Sequence, residues 1–365
     1  MPDVPIYGPG FALQWCGLKG KVTLQDIGRE LGLSTTTISL ALRDHPRISE
    51  ATKVRVRKLI DHLKYEPDRV ARALVMGKSA LVGVIVPNSS DPYYSEVFKG
   101  IEDAARALSY HVLLSNGSYD MGSYAQRVKE MKSLRVDGII VAPPFTRERP
   151  TLEGIWLEMR EAGYPLVLVN RHLKPALFHQ VSADYTSGVR MTVEMLAAMG
   201  HRRVAYISGE PAVLPIRQRL ACFKRYAHKH GFQDDPALLE TGALTLYGGY
   251  DACKRLWNAG RKRPTAIVTF SDTVGVGALQ FLNDQGIRVP GEVSLASFDG
   301  TVMSEFTQPK LTTISTPMYE VGKEAFELVS GAVEGKYSSP QDLLLPVRLL
   351  IRDSAAPLQL ERHTA

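Results

Sequence analysis

The chain has 365 residues, of which 44% are hydrophobic, and this length is typical of a globular protein with two or three domains. The formal net charge is +6 and is unevenly distributed: residues 21–78 hold 12 Lys and Arg against 7 Asp and Glu, whereas residues 79–365 hold 31 against 30. The basic excess of the first part indicates a polyanionic partner, and a solvated helical surface is the alternative.

Several classes of protein and of site are excluded by what the sequence lacks. No run of 18 apolar residues occurs, which excludes a membrane-spanning helix. Cys16, Cys222 and Cys253 lie far apart, without CxxC spacing or nearby histidines, so we expect no metal, no cofactor and a reducing compartment, the cytoplasm. No GxSxG, Walker A or GxGxxG motif is present, which argues against a metabolic enzyme. Residues 1–20 lack the pattern of a secretory signal and are predicted to be a disordered extension.

The first predicted elements are a helix, a tight turn and a second helix. Thr23 and Asp26 have the spacing of a capping box, with Asp in the place usually taken by Glu or Gln. Gly32 ends this helix, and Ser34 is a natural N-cap for the next one, over residues 35–43. This order predicts a helix-turn-helix.

In such a motif the N-terminal residues of the second helix face base edges in the major groove of DNA. We therefore expect Thr35, Thr36 and Ser39 to face DNA, with Arg43 at the end of the same helix. Threonine offers a hydroxyl for hydrogen bonds and a methyl group for contact with thymine. Three consecutive threonines form helices poorly, so a purely structural role explains them less well.

A third helix is predicted to begin at Ser49 and to end at Tyr65-Glu66-Pro67, because the residue before proline disfavours the helical conformation. Its apolar side chains are expected to face inward and its cationic ones to face solvent. The apolar set is Val54, Val56, Leu59, Ile60 and Leu63, and the cationic set is Lys53, Arg55, Arg57 and Lys58.

The segment from Asp68 to Met76 is too short to be stable as a free helix. It combines basic residues such as Arg69 with Leu74, an apolar side chain that can act as a wedge between base steps of the minor groove. An amphipathic linker helix that packs on its neighbour is the alternative.

After residue 79, short apolar runs alternate with stretches of helical periodicity, which predicts parallel sheets covered by helices. The number of such units is too large for one open sheet and favours two α/β subdomains. The predicted strands are Leu81 to Pro87, His111 to Ser115, Gly138 to Ala142, Pro165 to Asn170, Val204 to Ser208, Ala266 to Phe270 and Val293 to Phe298.

Ligands of such folds bind outside the carboxyl ends of the strands, so polar residues that follow strands are candidates for ligand contact. For any single one of them, a role as loop or N-cap residue is the alternative. The candidates are Asn88, Ser89, Asn170, Arg171, Ser271, Asp272 and Asp299.

Over residues 21–355 the chain resembles the lactose-repressor (LacI/GalR) family of bacterial transcription regulators. The N-terminal landmarks are Val22-Thr23-Leu24-Gln25-Asp26-Ile27, Gly32-Leu33-Ser34, Thr37-Ile38-Ser39, Tyr65-Glu66-Pro67 and Arg69-Val70-Ala71-Arg72-Ala73-Leu74. The later landmarks, similar to type I periplasmic sugar-binding proteins, include Val82-Gly83-Val84-Ile85-Val86-Pro87, Val136-Asp137-Gly138-Ile139-Ile140, Arg219-Leu220-Ala221-Cys222-Phe223 and Leu311-Thr312-Thr313-Ile314.

The resemblance implies an N-terminal all-α helix-turn-helix domain and an α/β effector domain of two doubly wound parallel-sheet subdomains. It also implies a homodimer on a palindromic double-stranded DNA operator, with a small-molecule effector between the subdomains. The expected divisions are a helix-turn-helix domain over 21–66, a hinge over 67–78, an N-subdomain over about 79–181 and 316–344, and a C-subdomain over about 182–315 and 345–365.

Carried over by position, Leu74 matches the family's minor-groove wedge. Arg219 matches an arginine that grips ligand oxygens, and Asp299 matches a carboxylate that accepts hydrogen bonds from the ligand. An Arg219–Asp299 ion pair that bridges the cleft is the alternative for these two. The remaining pocket positions implied by the family are Tyr93, Tyr94, Asn170, Ser271 and Asp272.

Three differences limit what the resemblance implies. Leu40 stands where the lactose repressor has an arginine, so the operator half-site is expected to differ. Leu244 replaces an aromatic platform, and Leu214 and Pro215 fall where the purine repressor is polar. We therefore expect a repressor of a catabolic or transport operon controlled by a sugar or sugar derivative. A nucleoside- or purine-responsive regulator is the first alternative, and a solute-binding protein is the second.

Overall fold

The structure is a computed structural model, and it divides into two compact units that meet in sequence between Gly77 and Lys78. The predictions for residues 1–20, Arg43, Arg69 and Leu74 concern residues outside those that it describes. The described residues are 22–42, 44–65, 78–117, 121–143, 154, 157–171, 176–211, 213–259 and 262–358.

The described part of the first unit contains three helices: α1 (Leu24–Leu31), α2 (Thr35–Leu42) and α3 (Glu50–Leu63). The predicted capping box at the start of α1 is present, with the Asp26 amide 3.3 Å from Thr23 Oγ1 and the Thr23 amide 3.0 Å from Asp26 Oδ2. Gly32 ends α1 with φ at +63°, a conformation that glycine adopts without steric cost.

Ser34 begins α2, because its hydroxyl accepts a hydrogen bond from the Thr37 amide at 3.1 Å. The three helices enclose a small core of five fully buried side chains, surrounded by a ring of partly buried ones. The five are Ile27, Ile38, Ala41, Val56 and Leu59.

The prediction for the faces of α3 is partly wrong. Lys53 is buried, with 5% of its surface exposed, whereas Val54 is 45% exposed. Residues three apart share one face of a helix and residues two apart do not, so burial of Val56 turns Lys53 inward and Val54 outward. The Lys53 ammonium group lies 2.6 Å from Glu50 Oε1 and 3.8 Å from Asp44 Oδ1, and these carboxylates compensate its buried charge.

The second unit contains two six-stranded sheets. The first sheet comprises β1 (Leu81–Val86), β2 (His111–Asn116), β3 (Gly138–Val141), β4 (Leu166–Val169), β5 (His179–Ala183) and β11 (Asp342–Leu345). The second sheet comprises β6 (Val204–Ser208), β7 (Leu239–Thr241), β8 (Ala266–Thr269), β9 (Ser294–Asp299), β10 (Thr312–Ser315) and β12 (Arg348–Leu350).

Helices connect these strands and cover the sheets. They are α4 (Pro92–Ala107), α5 (Met121–Ser133), α6 (Tyr185–Ala198), α7 (Leu214–Lys229), α8 (Leu246–Asn258), α9 (Asp272–Asp284), α10 (Met303–Phe306) and α11 (Met318–Val333). None of the described helices is long and apolar enough to cross a membrane.

The strand orders are β11-β5-β4-β3-β1-β2 and β12-β10-β9-β8-β6-β7. All neighbouring pairs are parallel except β10 and β12. The chain therefore passes from one sheet to the other three times: between β5 and β6, between β10 and β11, and between β11 and β12. Each sheet with its helices forms one subdomain, which we call the first-sheet and the second-sheet subdomain.

All seven predicted strands are present, with ends within one residue of those expected. Five further strands were not predicted. The central strands β5 and β10 carry buried polar residues such as Gln180, Ser182, Thr312 and Thr313. The other three, β7, β11 and β12, lie at sheet edges and are partly exposed.

Candidate functional site

The carboxyl ends of strands from both sheets border one cleft. An outer compartment of about 700 Å³ and an inner compartment of about 40 Å³ share Asn170, Tyr185 and Arg219 in their walls. Asn170 follows β4 of the first sheet, and Phe270 and Ser271 of the inner compartment follow β8 of the second sheet. The placement agrees with the general position of ligand sites in parallel α/β folds.

Arg219 of α7 is the central side chain of the cleft. Only 8% of its surface is exposed, and its Nη1 atom donates a hydrogen bond to the Phe270 carbonyl oxygen at 2.8 Å. The guanidinium carbon lies 3.8 Å from the centroid of the Tyr185 ring and 4.0 Å from that of Phe270. The two rings hold the guanidinium group in place, and most of its five N–H donors remain available for a ligand.

Asp299 ends β9 and lines the inner compartment, with 9% of its surface exposed. Burial raises the pKa of its carboxyl group well above the usual range; Asp272 and Asp91 add to this rise, and Arg219 opposes it. Among the described residues, no carboxylate oxygen lies within 4 Å of an Arg219 nitrogen, so the bridging ion pair considered as an alternative is not formed. The Asp299 carboxyl group is therefore open to a ligand hydroxyl.

Replacement of Asp299 by asparagine is expected to raise the stability of the second unit by an amount that grows with pH. The folded-state pKa lies above the unfolded value of about 3.8, so the native protein loses stability as pH rises from that value through the folded pKa. Asparagine has no proton to lose. The melting temperature of Asp299→Asn should exceed that of the wild type by a margin that grows between pH 4.5 and 8.5. Each kcal/mol of difference in the free energy of unfolding corresponds to about 2–4 °C. A difference that stays constant or shrinks with rising pH would contradict the expectation.

The structure corrects the prediction for Asp272. This side chain is fully buried inside the second-sheet subdomain and lines neither compartment. Its carboxylate accepts hydrogen bonds from the hydroxyls of Ser297, Thr301 and Thr313 and from the Thr301 amide, at 2.5 to 2.9 Å. Asp272 therefore joins the start of α9 to β9 and β10, and the neighbouring Ser271 lines the inner compartment instead.

Tyr93 and Tyr94 begin α4 and close the inner compartment from the first-sheet side. Both are buried, and their rings meet edge to face with centroids 5.2 Å apart. Burial raises the pKa of Tyr93, and the nearby Tyr185 hydroxyl raises it further. The Tyr93 hydroxyl forms no hydrogen bond of regular geometry with a described residue. Of the other candidates, Asn88 and Ser89 line neither compartment.

Two residues that hold Arg219 were not predicted as site residues: Tyr185 and Phe270, both of which line the inner compartment. A strand-end rule identifies Phe270 in retrospect, whereas no sequence pattern singles out Tyr185. Tyr206 and Ser208 on β6 line neither compartment, and their buried hydroxyls have no hydrogen-bond partner among the described residues. Burial raises the pKa of Tyr206 to about 12, so its hydroxyl stays protonated at neutral pH.

The first unit presents the other candidate surface. Thr35 and Thr36 are exposed at the start of α2, and Ser39 and Leu40 are half-buried. The inward side of α2 carries Ile38 and Ala41, which are fully buried. Several cations on α3, namely Arg55, Arg57 and Lys58, are exposed. Ion pairs engage Lys53 and Arg57 with Asp44, which leaves Arg55 and Lys58 as the cations of α3 without a carboxylate partner among the described residues.

Comparison with known proteins is consistent across the whole chain. Residues 23–68 match the model for bacterial regulatory proteins of the lacI family, and residues 193–355 match a periplasmic binding protein-like domain. The chain is 30% identical to catabolite control protein A of Priestia megaterium, over 91% of this chain and 99% of that protein. It is 29% identical to the transcriptional regulator DegA of Bacillus subtilis, over 93% and 99%.

A crystal structure of the Lac repressor dimer, bound to operator and the anti-inducer ONPF, has the same fold. The TM-score is 0.83 at 24% identity, and the match covers 92% of this chain and 100% of that one. The predicted fold class, a helix-turn-helix unit followed by two parallel-sheet subdomains, is confirmed. These relatives are transcriptional regulators and not enzymes. The chain therefore belongs to the lacI family of bacterial regulatory proteins and is a DNA-binding transcriptional regulator.

Proposed function

We propose that this regulator is a repressor of a catabolic or transport operon, and that a small hydroxylated molecule in the cleft controls its affinity for DNA. The observation that carries the proposal is Arg219, a buried cation with free donors that faces the open carboxyl group of Asp299. A sugar offers oxygens to such donors and hydroxyls to such acceptors.

The walls of the inner compartment favour a sugar over a purine. Leu244 packs with Val213, Ile216 and Phe270 and presents an aliphatic side chain to the compartment, whereas the rings of Tyr185 and Phe270 are already stacked against Arg219. The buried hydroxyl of the lining residue Tyr93, which has no hydrogen-bond partner among the described residues, suits a ligand with hydroxyl groups. A nucleoside remains the second candidate, since its ribose offers the same groups.

The mechanism we propose is a shift between two arrangements of the subdomains. Three chain crossings connect the two sheets, and residues from both sheets line the cleft, so a bound ligand favours the arrangement in which both walls contact it. The ligand changes DNA affinity only through its different affinity for the two arrangements. In this mechanism the exposed Thr35 and Thr36 and the half-buried Ser39 of α2 contact the base edges; their exposure supports this part of the proposal.

The proposed active species is a homodimer on a palindromic operator in the bacterial cytoplasm. Large apolar side chains are exposed on the second-sheet subdomain, and such surfaces are usually covered by a partner. They are Leu246 and Tyr247 on α8, Phe306 on α10, and Val302 just before α10, with exposed fractions between 42% and 85%. A palindromic site mirrors the two-fold symmetry of a dimer.

Footprinting on the DNA that flanks the gene, combined with a thermal-shift screen of sugars and nucleosides, tests this function. We expect a protected palindrome at low salt, and a ligand that both raises the melting temperature and changes the footprint. Arg219→Ala should reduce the affinity for that ligand by about tenfold or more, because a hydrogen bond to a charged group contributes about 1.5–3 kcal/mol to binding.

Arg217→Ala is the matched control, since Arg217 is exposed on the same helix and lines neither compartment. It should bind ligand like the wild type. If no site is protected under any of the conditions, the proposed repressor function is refuted. If Arg219→Ala and Arg217→Ala bind the ligand with equal affinity, the effector binds outside this cleft.

A further inference from the structure

The two compartments of the cleft differ in their ionisable side chains and share one cation, Arg219. The inner compartment also carries the carboxyl groups of Asp91 and Asp299. The outer compartment also carries the guanidinium group of Arg225 and the carboxylate of Asp184, and Arg171, which lines it too, already has an interaction within the protein. A neutral sugar explains the inner compartment but leaves Arg225 without a function.

The carboxylate of Asp184 is already committed within the protein. It is the N-cap of α6 and accepts hydrogen bonds from the Ser187 amide at 3.0 Å and from the Ser187 hydroxyl at 2.6 Å. Its oxygens are held at the helix N-terminus, where the helix dipole stabilises negative charge. Asp184 therefore offers little compensation to the arginines across the compartment.

Arg225 is the most available of these cations. Its Nη2 atom lies 3.8 Å from Cys222 Sγ and its guanidinium carbon lies 5.0 Å from the centroid of the Tyr226 ring, and no carboxylate of the described residues forms an ion pair with it. On α7, Gln218, Cys222 and Arg225 follow the spacing i, i+4, i+7 and share one helical face, and all three line the outer compartment. Arg219 lies six residues before Arg225, which corresponds to about 9 Å along the helix axis.

Arg219 belongs to both compartments and joins them into one site. It is nine-tenths buried and has no carboxylate within 4 Å among the described residues, although a buried charge is costly unless it is paired. A ligand that extends from Arg219 into the outer compartment reaches both cations, with its hydroxyl groups at Arg219 and an anionic group at Arg225. The outer volume of about 700 Å³ is large enough for a ligand that extends beyond the inner compartment.

We infer that the effector is an acidic sugar, whose hydroxyl groups meet Asp299 and Arg219 while its phosphate or carboxylate group binds at Arg225 in the outer compartment. The inference rests on the proposed function and adds the chemical class of the effector. Arginine suits both acidic groups, because its planar fork binds phosphate or carboxylate through two parallel hydrogen bonds.

Titration calorimetry of the full chain with matched sets, each comprising a hexose, its 6-phosphate and its uronic acid, tests the inference. We expect an acidic member of at least one set to bind about tenfold or more tightly than its neutral hexose, in line with a charge-assisted hydrogen bond. A comparison of the affinities for the 6-phosphate and the uronic acid of the same hexose shows which acidic group the site prefers. Arg225→Gln should reduce the ratio of acidic-sugar affinity to hexose affinity to nearly one.

Arg217→Gln is the control, because it removes the same charge from α7 outside the cleft. It should keep the acidic preference, apart from a small change in long-range attraction. Neutral hexoses that bind as tightly as their acidic partners, or a preference unaltered in Arg225→Gln, would overturn the inference while the proposed function stands. If no sugar of either kind binds, both this inference and the proposed sugar effector are contradicted.

Discussion

Leu59→Ala is expected to abolish specific DNA binding while the second unit remains folded. Leu59 is fully buried in a core of only five side chains. Removal of a buried leucine side chain beyond its Cβ costs about 2–5 kcal/mol. A domain with so small a core rarely has a free energy of unfolding above about 3–5 kcal/mol. The cost of Leu59→Ala is therefore comparable with the entire stability of the first unit.

Val54→Ala is the matched control, because Val54 lies on the same helix with 45% of its surface exposed. We expect this change to alter stability by about 0.5 kcal/mol or less. Gel-shift titration should show at least about a hundredfold weaker operator binding for Leu59→Ala, and calorimetry should show an unchanged transition of the second unit. Operator affinity within about twofold of the wild type would show that the core of the first unit lies elsewhere.

Gly322→Ala is expected to destabilise the second unit strongly. A Cβ atom at Gly322 of α11 would lie 1.9 Å from the Val97 carbonyl oxygen of α4, and one at Gly100 would lie 2.0 Å from the Tyr319 carbonyl oxygen. The two helices therefore touch through their backbones, and neither obstacle is a side chain that can rotate away. Overpacking of this kind costs about 1–3 kcal/mol or more, which lowers the melting temperature by about 2–4 °C for each kcal/mol.

Gly154→Ala makes the same chemical change where a Cβ meets nothing within 4 Å. We expect its melting temperature to remain within about 1–2 °C of the wild type, since a compatible Gly→Ala change is neutral or mildly stabilising. Differential scanning calorimetry of both variants gives the comparison. If the Gly322→Ala and Gly154→Ala proteins had the same melting temperature, α4 and α11 would be able to move apart without loss of stability.

The strands show where sequence reasoning succeeds. The seven predicted strands contain short apolar runs, so their ends are visible where the apolar run stops. Six of them are buried along nearly their whole length, and β2, at the edge of its sheet, is partly exposed. Strands β5 and β10 are equally central, but Gln180, Ser182 and Thr312 interrupt their apolar pattern. Partners far away in sequence satisfy two of these polar side chains: Gln180 donates a hydrogen bond to the Asp342 carboxylate, and the Thr312 hydroxyl donates one to the Arg352 carbonyl oxygen.

The candidate site shows where sequence reasoning fails. Position after a strand placed Asn170, Ser271 and Asp299 at the cleft, and the same rule placed Asp272 there incorrectly. Ser271 and Asp272 are adjacent at the start of α9, so only the direction of each side chain separates a cleft residue from a core residue. The ends of β9 and β10 set that direction, because they supply three hydroxyls and an amide to the Asp272 carboxylate.

The sequence by itself determined the helix-turn-helix, the basic excess of the first unit, the apolar strands and the resemblance to the family, because each of these is a property of neighbouring residues or of their spacing. Only the tertiary structure decided that Lys53 is buried, that Tyr185 and Phe270 enclose Arg219, and that the cleft divides into two compartments that share Arg219. These features depend on contacts between distant segments, and the packing energy that selects them is shared by the whole fold.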